Sequence, residues 1–250
     1  MIEIRGLRKL LNDRPVLDGI DLDVYEGESL VIMGPSGTGK SVLLKHIVGL
    51  FDPDGGELHV DGMSVPRAGA REILAIRSRI SYVFQNAALF DSLTVAENIQ
   101  LGLSREHCRR THALTDPQVR EAIAHVNLGD EVLGLLPAEL SGGMQKRVAI
   151  ARAIVGRQPY ILYDEPTTGL DPVNASVINR LIARLQGEIG ATSVIVTHDV
   201  ESAFFLGDRI VLLSGGKVQA VGTPDALRES RDPVVQNFLH PTPETEAMLG

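Results

Sequence analysis

SLVIMGPSGTGKSVLLKHIVGL, residues 29–50, joins an apolar run to a glycine-rich turn and then to a second apolar segment. The run that ends at Gly34 predicts a buried strand, and the segment after Lys40 predicts a buried helix. Residues 34–41 between them fit the pattern G-x4-G-K-[ST], in the strand–loop–helix context that this pattern requires. A glycine-rich turn with a surface lysine would not need that context. The stretch therefore predicts a phosphate-binding loop.

The composition of this loop suits a nucleotide. Glycines allow a tight turn whose backbone N–H groups point at phosphate oxygens, and the dipole of the following helix favours the same charge. Lys40 is predicted to reach the β- and γ-phosphates, and Ser41 to bind Mg²⁺. The predicted nucleotide-binding residues are Gly34, Pro35, Ser36, Gly37, Thr38, Gly39, Lys40, Ser41 and Val42.

Two carboxylates end a second apolar run, YILYDEP. Asp164 at the tip of a buried strand is placed to hold the hydration shell of Mg²⁺. Side chains alternate along a strand, so Glu165 is expected to point elsewhere and to act as general base on the attacking water. The alternative is an Asp–Glu pair that merely solvates a strand end.

A glutamine and a histidine follow two further predicted strands. Gln85 comes after ISYVF and is predicted to bind Mg²⁺ or the attacking water through its neutral amide. His198 ends SVIVTH and is predicted to hydrogen-bond the γ-phosphate and to orient Glu165 or the water. A single glutamine or histidine at a strand end is more often an ordinary polar side chain that faces solvent. Ligands of open parallel sheets bind at the carboxyl ends of strands, which groups both with the phosphate loop.

The pattern along the chain predicts an α/β fold: a P-loop NTPase core with a mainly parallel sheet covered on both faces, preceded by an N-terminal antiparallel β subdomain. Strand-like runs disappear after about residue 86 and return with YILYDE. We expect one domain over 1–250, with the nucleotide-binding core in 1–85 and 146–222. An inserted helical subdomain is expected over 86–145, and a short helix with a tail over 223–250.

Composition limits the possible functions. A net charge of −8, with 32 acidic and 24 basic residues, argues against a nucleic-acid partner. No run approaches the ~20 apolar residues of a membrane span, and the first residues lack a secretory signal pattern. Cys108 is the single cysteine, which excludes an internal disulfide and a multi-cysteine metal site. A reducing cytosol is the expected compartment.

One motif has no role within a single nucleotide site: LSGGMQKR, residues 140–147. Ser141 reads as the cap of a helix, and the first turn of that helix is a second place where an anion could bind. Two phosphate-binding sites for one nucleotide indicate that the second site serves the nucleotide of another subunit.

With this motif the chain resembles the ATP-binding subunits of ABC transporters over nearly its whole length. The motifs that carry the resemblance occur in family order: GPSGTGKS (34–41), Gln85, LSGGMQ (140–145), ILYDEP (161–166), GLDP (169–172) and His198.

The resemblance implies a homodimer that sandwiches two ATP molecules with Mg²⁺. Ser141 and Gly143, within a signature motif that includes Gly142 and Met144, would contact the γ-phosphate bound to the partner. Asp171 would connect the two sites. ATP binding would close the dimer and hydrolysis would reopen it, which would drive a separate membrane permease.

Finer features look most like the ATPases of MCE-type lipid asymmetry systems, which move phospholipids between the inner and outer membranes of bacteria. They are SGTGKSVLLKHIVGL, ALFDSLTVAENI, LSGGM and RDPVVQNFL. This resemblance implies an MCE-domain lipid-binding subunit, often a STAS-domain protein, and a peripheral location at the cytoplasmic face of the inner membrane.

Two alternatives remain open. Polar amino-acid importers and other small-solute importers share the core but usually carry LSGGQ where this chain has Met144. A mechanical or signalling ABC protein would carry coiled-coil arms or a second ATPase half. The chain departs from the family pattern at Leu11, where an aromatic commonly stacks on adenine, and at Val42, where many relatives carry threonine.

Overall fold

The structure is a computed structural model that describes residues 1–240. The strands are β1 Ile2–Leu11, β2 Arg14–Val24, β3 Ser29–Met33, β4 Gly55–Val60, β5 Met63–Ser64, β6 Ile80–Val83, β7 Tyr160–Asp164, β8 Thr192–Thr197, β9 Arg209–Ser214 and β10 Lys217–Gly222. The helices are α1 Lys40–Ile47, α2 Ala70–Arg77, α3 Val95–Gln100, α4 Arg105–Arg110, α5 Pro117–His125, α6 Gly142–Ile154, α7 Pro172–Ile189, α8 Val200–Leu206, α9 Pro224–Glu229 and α10 Pro233–Leu239.

The chain forms two compact units. Within residues 1–240, the first unit comprises Met1–Ile80 and the chain from Thr192 onward, and the second comprises Ser81–Ala191. The predicted limits of the helical subdomain, 86 and 145, stay a prediction.

The first unit contains an antiparallel sheet with strand order β2-β1-β4-β5. Alternate residues of β1, among them Ile2 and Ile4, are fully buried, as expected of a strand with one face on the core. Ile4 pairs with Leu22 of β2 and with Leu58 of β4, so apolar side chains lie opposite each other across three strands. The predicted N-terminal antiparallel sheet is present.

The first unit also contains parallel strands. β3 lies between β8 and β9 and runs parallel to both, while β10 returns antiparallel to β9. Every residue of β3 is buried, which explains its unbroken apolar sequence. At its carboxyl end Met33 is level with Thr197 of β8 and Leu212 of β9. The residues that follow these strands therefore emerge at one edge of the sheet.

In the second unit β6 and β7 are neighbours, and the described chain between them contains helices and short 3-10 turns but no strand. α6 is the central helix, since it packs against α3, α5 and α7. Its buried positions include Val148, Ala149 and Ile150, three consecutive residues, so it faces protein on most sides.

Several short elements were not predicted: β5, β10, α4 and α9. Each has at most six residues, too few to establish a hydrophobic period. The predicted C-terminal helix is present as α10, and α9 precedes it. The rest of the predicted tail, residues 241–250, lies outside the described residues.

Candidate nucleotide site

The phosphate loop, residues 34–41, leaves the central strand β3 and enters α1 at Lys40. The Gly34 N–H donates to the carbonyl of Thr197 at 3.4 Å, which ties the start of the loop to the end of β8. The loop thus begins at the sheet edge where its neighbouring strand also ends. Its predicted strand–loop–helix context is confirmed.

Close backbone contacts require glycine at two positions of this loop. A Cβ on Gly34 would lie 2.2 Å from the carbonyl oxygen of Leu213, so no side chain fits there. Gly39 has φ +97°, and its Cβ would lie 2.7 Å from the carbonyl oxygen of Val16. Both the left-handed conformation and the close approach exclude a larger residue at Gly39.

Lys40 is fixed over the loop rather than extended into solvent. Its residue is 4% exposed, and its Nζ donates to the carbonyls of Gly34 and Pro35, both at 2.8 Å. Thr38 Oγ1 also donates to the Pro35 carbonyl, at 2.9 Å. The loop therefore holds a cation at its centre, which is the charge that a polyphosphate requires.

The start of α1 differs from that of α6, α7 and α8. Those three helices are capped by the side chains of Ser141, Asp171 and Asp199. The N-cap of α1 is Gly39, which has no side chain to accept from the first-turn N–H groups. A helix start left without a side-chain cap beside a buried lysine is suited to an anion.

His198 belongs to the same unit as this loop. It follows Thr197 directly, and Thr197 is paired with Met33 at the end of β3. His198 is exposed. The structure thus brings His198 and the phosphate loop to adjacent strand ends, as the sequence predicted.

In the second unit Asp164 is the last residue of β7 and is 5% exposed. Its Oδ2 accepts a hydrogen bond of 2.8 Å from the hydroxyl of Tyr82 on β6. Burial and the negative charge of Asp164 raise the pKa of Tyr82, so the phenol keeps its proton and remains a donor. Tyr82 was not predicted as a site residue, although it lies in β6, the strand that leads to Gln85.

Glu165 departs from its predicted geometry. Strand alternation predicted that its side chain points away from Asp164, but the strand ends at Asp164 and Glu165 has φ +46°. A left-handed residue other than glycine is uncommon and frequently marks a functional site. Thr168 holds it there: its Oγ1 donates to Glu165 Oε2 at 2.8 Å, and its N–H donates to the Glu165 carbonyl at 3.2 Å.

Gln85 is exposed, and its backbone is held by the central helix. The buried Lys146 of α6 donates from Nζ to the Gln85 carbonyl. Arg152 of the same helix donates to the carbonyls of Ala87 and Ala88, both at 2.7 Å. We call residues 85–88 the glutamine loop. Neither contact was predicted, because both cations lie within a helix whose sequence does not show what it packs against.

The signature motif, residues 140–145, opens α6. Ser141 Oγ accepts from the Met144 N–H at 3.3 Å, which confirms Ser141 as the helix cap. Gly142 is exposed and Gly143 half-buried. A Cβ on Gly143 would lie 3.4 Å from Oδ1 of Asn174 on α7.

Asn174 connects the signature motif to Asp171. Its Nδ2 donates to Asp171 Oδ2 at 2.5 Å, and this hydrogen bond holds the pKa of the exposed Asp171 below its usual value. Asp171 also caps α7. Asn174, which was not predicted, therefore lies between Gly143 of the signature motif and Asp171 in the second unit.

The two departures from the family pattern lie in the first unit. Leu11 is 38% exposed at the end of β1, next to a hairpin in which Asn12 and Asp13 have positive φ. Val42 is half-buried in α1. Within residues 1–240 no helix is long and apolar enough to span a membrane.

The matching family model, described as ABC transporter, covers residues 17–168. The chain therefore belongs to the ABC transporter family, and it is an ATPase of the class in which ATP hydrolysis drives transport. The predicted family, fold class, nucleotide and enzyme activity are confirmed.

Particular relatives carry two different names. The "Intermembrane phospholipid transport system ATP-binding protein MlaF" of Haemophilus influenzae is 38% identical over 96% of this chain and 90% of its own length. MlaF of Escherichia coli K12 is 37% identical over 96% and 88%. The "Probable ribonucleotide transport ATP-binding protein mkl" of Mycobacterium leprae is 38% identical over 96% of this chain and 68% of its own length.

Solved structures share the fold. The dimeric post-hydrolysis state of the ATP-binding cassette MJ0796, bound to ADP and Pi, has a TM-score of 0.77 and 34% identity over 90% of this chain and 99% of its own. CbiO1 from Clostridium perfringens, part of the transporter complex cbiONQ, has a TM-score of 0.79 and 27% identity over 99% and 98%.

Proposed function

We propose that this chain is the ATP-hydrolysing subunit of a transporter that moves phospholipids between two membranes. The observation that carries the ATPase role is the glycine loop closed around the buried Lys40 at a helix start without a side-chain cap. The observation that favours phospholipid as cargo is the similarity to the two MlaF proteins along 96% of the chain. The name of the mycobacterial relative favours ribonucleotide as a second candidate cargo.

The phosphate loop fits a nucleoside triphosphate. Its glycines bring the backbone close, Lys40 offers positive charge, and the first turn of α1 is without a side-chain cap. We assign the nucleotide to residues 34–42. Ser41 in that first turn offers a hydroxyl to Mg²⁺, and Gln85 and Asp164 offer an amide and a carboxylate. All three donors are oxygen atoms, and only the Asp164 carboxylate carries a negative charge. Mg²⁺ prefers such a set when it keeps several water ligands.

Bound ATP with Mg²⁺ would supply the reactive γ-phosphate and neutralise part of its charge. Glu165 acts as general base: it accepts the proton of the attacking water while Thr168 holds its carboxylate. His198 donates a hydrogen bond to the γ-phosphate and orients the water. Tyr82 keeps Asp164 in place for its role in the hydration shell.

The signature motif acts on the nucleotide of a second copy. The start of α6 is formed by Ser141, Gly142, Gly143 and Met144. Its N–H groups and the exposed Ser141 hydroxyl can bind a γ-phosphate. Asp171, joined to this region through Asn174, links the two sites. The dimeric state of the MJ0796 cassette supports this arrangement.

The further partners follow from the transporter role. The chain would sit peripherally at the cytoplasmic face of the inner membrane, bound to an integral permease. An MCE-domain lipid-binding subunit and a STAS-domain protein would complete the assembly. The membership of cbiO1 in a transporter complex supports the permease as partner.

The test is purification of the tagged chain with its membrane partners in mild detergent, followed by reconstitution. We expect phospholipid and a lipid-binding subunit to copurify. ATP should drive transfer of a fluorescent phospholipid between vesicles and the complex, and Glu165→Gln should abolish this transfer. Copurification of a permease alone, with ATPase activity stimulated by a solute-binding protein carrying an amino acid or ribonucleotide, would contradict the lipid cargo and leave the ATPase intact.

A further inference from the structure

Lys146 is a buried lysine for which the family pattern assigns no task. It lies on α6, five residues after the cap Ser141, and is 7% exposed. Lysine is almost never buried to this extent without a partner, because the ammonium loses its hydration. Its partner is the backbone carbonyl of Gln85, to which Nζ donates. A neutral side chain would pack at this position without that desolvation cost, so the contact with Gln85 calls for a purpose.

We propose that Lys146 is a positioning residue for ATP hydrolysis. It fixes the backbone of Gln85 to α6, so that Gln85 and this helix move together. The inference rests on the proposed role of Gln85 at Mg²⁺ or the attacking water. Lys146 holds the backbone from which the Gln85 side chain extends.

The glutamine loop has two separate attachments to α6. Arg152 holds its far end through the carbonyls of Ala87 and Ala88, whose φ angles of +59° and +47° form a left-handed pair. Lys146 holds its near end at Gln85 itself. Loss of Lys146 should therefore free Gln85 while the rest of the loop stays anchored, which makes the positioning role separable from folding.

The electrostatic surroundings of Lys146 agree with a place near the chemistry. Burial lowers the pKa of Lys146, and the negative charge of Glu165 opposes that change. The ammonium therefore lies within the field of the proposed general base as well as against the glutamine loop. Lys146 lies five residues after Ser141, about 7.5 Å along α6, so a shift of this helix would carry the Gln85 backbone with it.

The test uses the purified chain and a double-mutant cycle between Lys146→Met and Gln85→Ala. We expect Lys146→Met to lower kcat by about tenfold to a hundredfold, the cost of misplacing an aligned group. The Mg²⁺ concentration for half-maximal turnover should rise, while ATP affinity stays within about twofold and the melting temperature does not fall. Lys146→Arg, which keeps a donor, should recover most of the turnover. Lys217→Met, which removes an exposed lysine paired with Asp18, is the matched control and should leave kcat unchanged.

The decisive comparison is the effect of Lys146→Met in the Gln85→Ala background. If Lys146 acts through Gln85, this effect should shrink to about twofold or less. An equal loss in both backgrounds, or wild-type kcat in Lys146→Met, would overturn the inference. Normal turnover in Gln85→Ala alone would instead contradict the proposed role of Gln85, and the inference with it.

Discussion

At the scale of single residues, Tyr82 shows how a buried carboxylate is kept in place. Its hydroxyl donates to Asp164 at 2.8 Å from the neighbouring strand. A hydrogen bond to a charged group contributes about 1.5–3 kcal/mol, roughly twice that of a neutral pair. The bond fixes the carboxylate at the strand end, where we propose that it holds the hydration shell of Mg²⁺.

We predict that Tyr82→Phe lowers the free energy of unfolding by about 1.5–3 kcal/mol, because Asp164 loses a hydrogen-bond donor. The Mg²⁺ concentration for half-maximal turnover should rise for the same reason. Chemical denaturation measures the first effect. Tyr25→Phe is the control: this tyrosine is 50% exposed, and its change should stay within about 0.5 kcal/mol.

The pH dependence of this difference has a definite sign. The folded-state pKa of Tyr82 is raised above its unfolded value of 10.0, so its contribution is fully present below pH 10.0. Above that pH the unfolded chain ionises while the folded chain keeps the proton, and the difference between Tyr82→Phe and the parent should shrink. A difference that grows with pH would show that Tyr82 is not the donor.

Motifs in the sequence predicted Lys40 and Asp164 as site residues, and the structure places them at the start of α1 and at the end of β7. Residues that support them were not predicted. Lys146 and Asn174 carry no pattern of their own, since their tasks arise only when α6 meets the glutamine loop and α7. The left-handed conformation of Glu165 was also beyond the sequence, because it depends on the turn closed by Thr168.

At the scale of elements, one side chain, Ser141, both caps α6 and belongs to the proposed phosphate site. Ser141 Oγ accepts from the Met144 N–H and remains exposed. Loss of a serine cap costs about 0.5–2 kcal/mol. The same hydroxyl is the one that we assign to the γ-phosphate of the partner's nucleotide.

Substitution at Ser141 should separate these two tasks. Ser141→Ala should lower both stability, by about 1 kcal/mol, and turnover. Ser141→Asp keeps a good cap and should retain stability, but its negative charge should repel the phosphate and abolish most turnover. The measurements are thermal unfolding and steady-state ATPase activity.

A control for capping alone lies in the first unit. Thr223 caps α9 with the same 3.3 Å contact, from the Ala226 N–H, and has no place in the proposed site. Thr223→Ala should lower stability without lowering turnover. Full activity in Ser141→Asp would contradict the role of the signature motif.

Long elements followed from the sequence because their burial is uniform or periodic. β3, β7 and β8 are buried at every position and read as continuous apolar runs. α7 begins with an aspartate cap and a proline, which are start signals that can be read from the sequence. α4 escaped notice because it has no buried residue, and its start depends on a single cap at Ser104.

At the scale of the whole molecule, each unit contains some of the residues to which we assign the chemistry. The first unit holds the phosphate loop and His198, and the second holds Asp164, Glu165 and the signature motif. The ordered motifs allowed these residues to be assigned to one nucleotide cycle without a structure. The supporting hydrogen bonds within each unit could not be, because they join residues that are distant in sequence.

The most direct test of the central claim is ATP turnover in Glu165→Gln, measured beside ATP binding and oligomeric state. Removal of the general base should slow hydrolysis by about 10²–10⁴-fold while ATP still binds, so a closed dimer should accumulate with Mg²⁺ and ATP. Lys40→Ala should fail earlier, with neither ATP binding nor the dimer. Near-normal turnover in Glu165→Gln, or a monomer that holds ATP without dimerising, would contradict the account.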